Sequence, residues 1–305
     1  MKVVVTGGAG FIGSNLAKTL EEEFNAKVII VDDFSSGSFK NLVGFKGDIV
    51  TADIRASDWW DRVGGVDVIF HQAAITDTTV MDQKKMMEVN VEGFRSVLNY
   101  ALKYKIKRII YASSAAVYGN LPSPMKEDMI PAPQNIYGFS KAIMDNVARI
   151  FYEENSDYKV IGLRYFNVYG AGEEHKGKSA SMIYQLYLQM KENKRPRVFK
   201  YGEQMRDFVY VKDVVDANIN AMECEMSGVY NVGSGQAQSF NYVIECLNKV
   251  LKKNLEPEYF DNPYSFYQNK TEADLRRSKS ILNYKPSYSL YDGIMDYVNN
   301  YLEKR

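Results

Sequence analysis

Val3-Val4-Val5-Thr6-Gly7-Gly8-Ala9-Gly10-Phe11-Ile12-Gly13 stands almost at the start of the chain. The β-branched run predicts a strand, and the amphipathic stretch from Gly13 to Phe24 predicts a helix, with the glycines as a tight turn between them. In that context the glycines let the backbone approach a ligand closely. The helix N-terminus then offers amide donors and partial positive charge to a pyrophosphate. Gly7, Gly10, Phe11, Ile12 and Gly13 are therefore candidate dinucleotide contacts, against the competing reading of a glycine-rich turn that binds nothing.

Outward from this segment, short β-branched runs alternate with helical periods. Val28 to Asp32, Val66 to His71, Ile106 to Ala112 and Val160 to Arg164 read as further strands, and Asp82 to Tyr104 and Ile136 to Glu154 as long helices. This alternation predicts an α/β fold, a Rossmann-type doubly wound parallel sheet with helices on both faces. After Arg164 the pattern loosens into a Gly- and Lys-rich loop, a helix near Ser179 to Lys191 and a strand near Val198. Phe208 to Val211 and Val229 to Val232 read as strands flanking a helix capped by Asp213, a segment expected to return to the sheet. Residues 1–165, with about 207–232, are thus expected to form the dinucleotide-binding domain, and 166–206 with 233–305 a smaller α+β substrate lobe.

Composition narrows the chemistry. The 305 residues carry 38 basic and 38 acidic side chains, so no global field draws in nucleic acid or an anionic membrane. Cys224 and Cys246 lack the spacing of a redox or zinc motif and read as reduced core residues. His71 and His175 stand apart, leaving a metal without a ligand cluster. No secretory signal and no apolar stretch of about 18 to 20 residues is evident, so a cytoplasmic protein is expected.

Asp32, at the end of the second strand, suits an adenosine ribose. Asp33 beside it would repel the 2'-phosphate of NADP, and no arginine lies nearby in sequence, with Lys40 the nearest base; this local chemistry leans toward NAD. Asp53 reads either as an adenine contact or as an exposed loop carboxylate.

Ser113-Ser114 ends a strand where open α/β sheets place their ligands, and Tyr137-Gly138-Phe139-Ser140-Lys141 opens the helix that follows. Tyr137 and Lys141, four apart, share one helix face. The ammonium is expected beneath the ring, lowering the phenol from about 10 so that it can exchange a hydroxyl proton, with Ser114 bonding the same substrate oxygen. Alone, such a pair is usually a surface pair. Following a glycine fingerprint and a strand-end serine, it reads as the centre of hydride chemistry.

These motifs, with Arg164-Tyr165-Phe166-Asn167-Val168-Tyr169-Gly170 and Arg206-Asp207-Phe208-Val209-Tyr210-Val211, resemble the extended short-chain dehydrogenase/reductase (NAD-dependent epimerase/dehydratase) family across essentially the whole chain. Within it the likeness is to the ADP-L-glycero-D-manno-heptose 6-epimerases, through His71-Gln72-Ala73-Ala74, Thr78-Thr79, Glu174-His175-Lys176-Gly177, Ala180-Ser181 and Gln268 to Leu275. The resemblance implies interconversion of ADP-D- and ADP-L-glycero-D-manno-heptose through a transient 6-ketone, feeding lipopolysaccharide core heptose synthesis. It implies one bound NADP, against the NAD suggested by Asp32-Asp33, and a homo-oligomer.

It also assigns Gln72, Ala73, Ala74, Asn90 and Val168 to the cofactor, and Thr76, Thr78, Thr79, Asn167, Lys178, Ser181, Gln185, Phe199, Arg206 and Tyr267 to substrate. Lys176 becomes a second acid/base, whereas spacing alone makes it a solvated loop lysine. Arg206 suits a diphosphate or a salt bridge with Asp207, and Tyr267 reads equally as packing. Relatives carry histidine where this chain has Gln185. A UDP-hexose 4-epimerase is the closest alternative, set apart by the segment Ala171 to Gly177. A cofactor-sensing binding protein on the same scaffold would be expected to lack the tyrosine or the lysine.

Overall fold

Val3 and Val5 are buried in one apolar cluster and Val4 in another, so the first strand has core on both sides. The computed structural model describes residues 1–78, 80–261 and 269–304. In order, these form β1 (Lys2–Thr6), α1 (Phe11–Glu22), β2 (Lys27–Asp32), β3 (Asp48–Thr51), α2 (Trp60–Val63), β4 (Val68–His71), α3 (Gln83–Met87), α4 (Gly93–Tyr104), β5 (Arg108–Ser114), α5 (Ile136–Glu154) and β6 (Lys159–Tyr165). The chain continues with β7 (Asn167–Tyr169), α6 (Met182–Lys191), β8 (Arg197–Phe199), β9 (Met205–Tyr210), α7 (Val211–Ala221), β10 (Gly228–Val232), β11 (Ala237–Ser239), α8 (Phe240–Leu251), β12 (Glu258–Phe260), α9 (Arg276–Ile281) and α10 (Leu290–Tyr297).

Seven strands form the central sheet in the order β10-β6-β5-β4-β1-β2-β3, every neighbouring pair parallel. Val4 pairs with Ile29 on one side and Ile69 on the other. Because helices cover both faces, strand residues are apolar in succession: Ile30, Phe70, Ile110 and Ile161 enter one core, and Ile29, Ile69, Ile109 and Val160 the other. Full burial of each such side chain stabilises by roughly 1.5–3 kcal/mol. The strand order reverses between β1 and β4, a switch point that leaves a crevice at the carboxyl ends. A third core gathers Ile183, Leu186, Phe208, Val243, Leu247 and Ile294 from α6, β9, α8 and α10. Cys224 and Cys246 are buried with free thiols. No helix among the described residues is long and apolar enough to cross a membrane.

Three local expectations change. The stretch 82–104 is not one regular helix, because a π turn over Glu88–Glu92 separates α3 from α4 and turns Asn90 and Val91 inward. The predicted strand at 208–211 does not join the large sheet. It is β9, which pairs with β7 and β11 in a separate three-stranded sheet, and only β10 returns beside β6. Asp213 does not cap α7, which begins after Tyr210. Its carboxylate instead accepts from Ser287 N (2.7 Å) and Tyr288 N (3.3 Å), tying α7 to the C-terminal segment.

Candidate active site

Gly7 leaves β1 with φ +69°, and Gly13 is packed so tightly that a Cβ would lie 2.2 Å from the Gly7 carbonyl oxygen. The loop between them folds back on itself through Gly10 N to Gly7 O (3.1 Å). Gly10 caps α1 without a side-chain acceptor, so the first-turn amides have no internal side-chain cap and remain available to an anion. Phe11 is buried at this mouth and Ile12 packs against two cores. Gln72, Ala73 and Ala74 line the loop after β4, half-buried. The Gln72 amide is held by Asn218 and by the Tyr165 hydroxyl.

Asp32 is buried and braces this cradle. Its Oδ2 accepts from Ala9 N (2.9 Å) and its Oδ1 from Phe34 N (2.8 Å), while burial holds its carboxyl above the ordinary value. Asp33 and Lys40 are exposed. Asp53 accepts from Nε and Nη2 on one edge of the Arg55 guanidinium, which holds its carboxyl below the ordinary value. No arginine lies near Asp33 in sequence, yet in the fold Arg55 sits in its field. The crossover between β3 and α2 brings the two together.

At the end of β5, Ser114 Oγ accepts from Ala116 N (3.1 Å) and bonds the Tyr137 phenol. Asn135 caps α5 by accepting from Gly138 N (2.7 Å), and Gly138 has no room for a Cβ, which would sit 2.5 Å from the Ala116 carbonyl oxygen. Cap and close approach together set Tyr137 against Ser114. Lys141 is buried, its Nζ 5.9 Å from the Tyr137 ring centroid, and it donates to Ala112 O at 2.7 Å. Burial lowers this ammonium to about 8, with Asp145 opposing. One expectation needs correcting: burial holds the Tyr137 phenol above its ordinary value, and the group that opposes this is Ser114, not Lys141.

Asn90, fully buried in the π turn, grips the loop ahead of it. Its Oδ1 accepts from Ile75 N (2.8 Å), and its Nδ2 donates to Ile75 O (3.1 Å) and Ser140 Oγ (2.9 Å). Ser140 Oγ in turn donates to Tyr137 O at 2.7 Å. Asn90 thus connects the 72–78 loop to the helix turn that carries the tyrosine. Thr76 and Thr78 are exposed at the far end of that loop. Thr79 and Tyr267 lie outside the described residues.

The loop after β7 carries Lys176, the second candidate group. Lys176 is half-buried, its Nζ 5.8 Å from the Phe11 ring centroid, and burial pulls its ammonium below the ordinary value while Glu173 and Asp77 oppose. His175 Nδ1 lies 2.9 Å from Gly172 O, and burial lowers its pKa. Lys178 is exposed. Ser181 caps α6, accepting from Tyr184 N (3.2 Å), while Gln185 Nε2 donates to Lys178 O and Ala180 O. Asn167 is exposed and accepts from the Thr271 hydroxyl, and Val168 is half-buried beside it.

Beyond this loop a cavity of about 720 Å3 is lined by Gln185, Phe199, Phe240 and Phe260 with Lys194 and Arg197. Arg206 stacks over the Phe240 ring, 5.9 Å from its centroid, and donates to Met205 O. Its neighbour Asp207 spends its carboxylate on Ser234, Gly235 and Ala273. Two residues missed in the sequence are Asn15 and Asn41, whose amides dock the 171–172 backbone onto α1 and the glycine loop.

The model of the NAD dependent epimerase/dehydratase family matches residues 3–233. This chain belongs to that family. Among solved structures, this family member is 42% identical to Helicobacter pylori ADP-L-glycero-D-manno-heptose-6-epimerase, covering 98% of this chain and 95% of that one with TM-score 0.90. It is 31% identical to Thermotoga maritima UDP-glucose 4-epimerase with UDP-glucose (100% and 99% covered, TM-score 0.92). It is 26% identical to Bacillus cereus UDP-glucuronic acid 4-epimerase in complex with UDP-glucuronic acid and NAD (100% and 99%, TM-score 0.88). The epimerase family's Rossmann-like α/β architecture accounts for the parallel sheet and its glycine turn.

Proposed function

We propose that this epimerase-family chain inverts carbon 6 of an ADP-activated glycero-manno-heptose, in the direction that supplies lipopolysaccharide core heptose. The observation that carries the reading is a phenol and an ammonium beside one glycine cradle: Tyr137 in the first turn of α5, bonded to Ser114 at the end of β5, and Lys176 over Phe11. Carbon 6 is not adjacent to a carbonyl, so direct proton abstraction there has no stabilised carbanion. A nicotinamide held at this cradle would supply the hydride acceptor and, once reduced, the hydride donor. The uncapped amides of α1 and the glycine turn fit its pyrophosphate.

In this reading Tyr137, bonded to Ser114, takes the hydroxyl proton as the 6-ketone forms. After the ketone turns, its oxygen meets Lys176, whose partly desolvated ammonium gives up a proton more readily than a solvated one. The aromatic walls of the cavity beside α6 suit an adenine, and Arg206 a diphosphate. Residues 166–206 and 233–305 would then form the substrate lobe. Asp33 supports NAD and Arg55 supports NADP; the mass of the dinucleotide released on denaturation distinguishes them.

The test is proton NMR of ADP-D-glycero-D-manno-heptose incubated with purified protein and no added reductant. Inversion at carbon 6 is expected. Turnover of UDP-glucose with an unchanged heptose would overturn the assignment in favour of a 4-epimerase.

A further inference from the structure

Lys176 hangs from a loop with two anchors. On the cofactor side, Asn15 Nδ2 donates to Ala171 O (2.8 Å) and Asn41 Nδ2 to Gly172 O (3.1 Å). The other anchor is one carboxylate. Glu173 is fully buried; its Oε1 accepts from Gly170 N (3.0 Å) and Ser181 Oγ (2.9 Å), its Oε2 from Ser181 N (2.5 Å), and its carbonyl from Lys176 N (2.9 Å). It therefore joins the end of β7 to the cap of α6 and closes the intervening backbone into a loop of fixed path.

Three donors satisfy this carboxylate, but burying a charge is costly without a countercharge. Lys176, three residues on, is the cation whose field reaches it. Resting on the role given to Lys176 above, we propose that Glu173 is a positioning residue for the second proton-transfer group. It holds the 170–181 loop so that Lys176 stands over Phe11, and it supplies the buried countercharge of that ammonium.

The groups around the pair come from several elements. Lys176 faces Glu173 and His175 in its own loop, Asp77 from the loop after β4 and the Phe11 ring of α1. Glu173 faces Ser181 at α6 and lies near the Tyr297 phenol of α10. Burial lowers Lys176, and Glu173 and Asp77 are the two groups that raise it. Loss of the Glu173 charge therefore moves deprotonation of Lys176 to lower pH. A group acting only as a loop staple would leave that midpoint in place.

The experiment uses the full chain with its bound dinucleotide. Competitive labelling with acetic anhydride across pH, read by mass spectrometry of the Lys176 peptide, gives the midpoint without turnover. For Glu173→Gln the midpoint is expected to fall by about one pH unit, with kcat for ADP-heptose epimerisation down at least about tenfold and KM little changed. Glu173→Asp, which keeps the charge but is one methylene shorter, should restore the midpoint and only part of kcat. An unchanged midpoint in Glu173→Gln overturns the proposal, whether or not kcat falls. If Glu173→Gln melts below the assay temperature, Glu173→Asp carries the test: a kept midpoint with reduced kcat supports the proposal, and a fully wild-type kcat overturns it. Lys176→Met separates the two readings. An unchanged rate there removes the role of Lys176 itself, whereas a lost rate beside a wild-type Glu173→Gln removes that of Glu173 alone.

Discussion

The Lys141 ammonium donates to the carbonyl oxygen of Ala112, 2.7 Å away, inside a site where burial has lowered it to about 8. A lysine depressed in the fold takes up fewer protons than the same lysine in the unfolded chain between that value and about 10.5. Its unfavourable contribution is therefore full below pH 8 and fades as pH rises toward 10.5. Lys141→Met should stabilise the protein by roughly 1–3 kcal/mol at pH 7, an advantage that shrinks by pH 10, while kcat falls about 100-fold or more. Thermal melts of both proteins at the two pH values check it; an advantage independent of pH would contradict the assignment.

Ser114 is the group that draws the Tyr137 phenol down against burial. Ser114→Ala should raise that phenol further and displace the alkaline rise in kcat to higher pH. Tyr137→Phe should lower kcat by about 100- to 10,000-fold with little change in melting temperature, since the ring is retained. pH–rate profiles of the two variants, with melts alongside, separate these effects.

Gly13 has backbone, not a flexible side chain, in the way of any Cβ. Gly13→Ala should cost about 1–3 kcal/mol in stability and release the dinucleotide. Calorimetry and the absorbance of cofactor carried through purification measure both. Wild-type cofactor content in this variant would remove the glycine loop from the binding site.

Asp213 is buried and pushed up to about 6 by desolvation, despite two backbone donors. An acid raised in the fold binds more protons than its unfolded counterpart between about 3.8 and 6, so its contribution makes stability fall as pH rises through that window. Asp213→Asn should flatten the wild-type slope there by up to about 3 kcal/mol. Denaturant titrations at pH 4, 5, 6 and 7 would show it, and parallel curves would rule the group out.

The large sheet was legible because its strands are short β-branched runs, and Ile136 to Glu154 has the bounds the apolar spacing predicts. What escaped depends on partners remote in sequence. A run such as Phe208 to Val211 announces a strand but not which sheet receives it. Asp213 looks like a cap until Ser287 and Tyr288 arrive from 74 and 75 residues away. Glu173 drew no reading from the sequence, because its donors belong to a loop whose path the sequence does not display. The order of Ser114, Tyr137 and Lys141 was readable; that Lys141 would be occupied by Ala112 was not.

Met86, Asn90 and Phe94 are all fully buried, although they recur every four residues. At 3.6 residues per turn such a series drifts, placing its third member about 80° around the helix from the first. The wider turn at Glu88–Glu92 absorbs that drift and resets the phase, so Asn90 reaches Ile75 while Phe94 still stacks on His71. Removing one residue from this turn would yield a more regular helix. It would also rotate one of these two contacts out of the site, so here regularity and function pull in opposite directions.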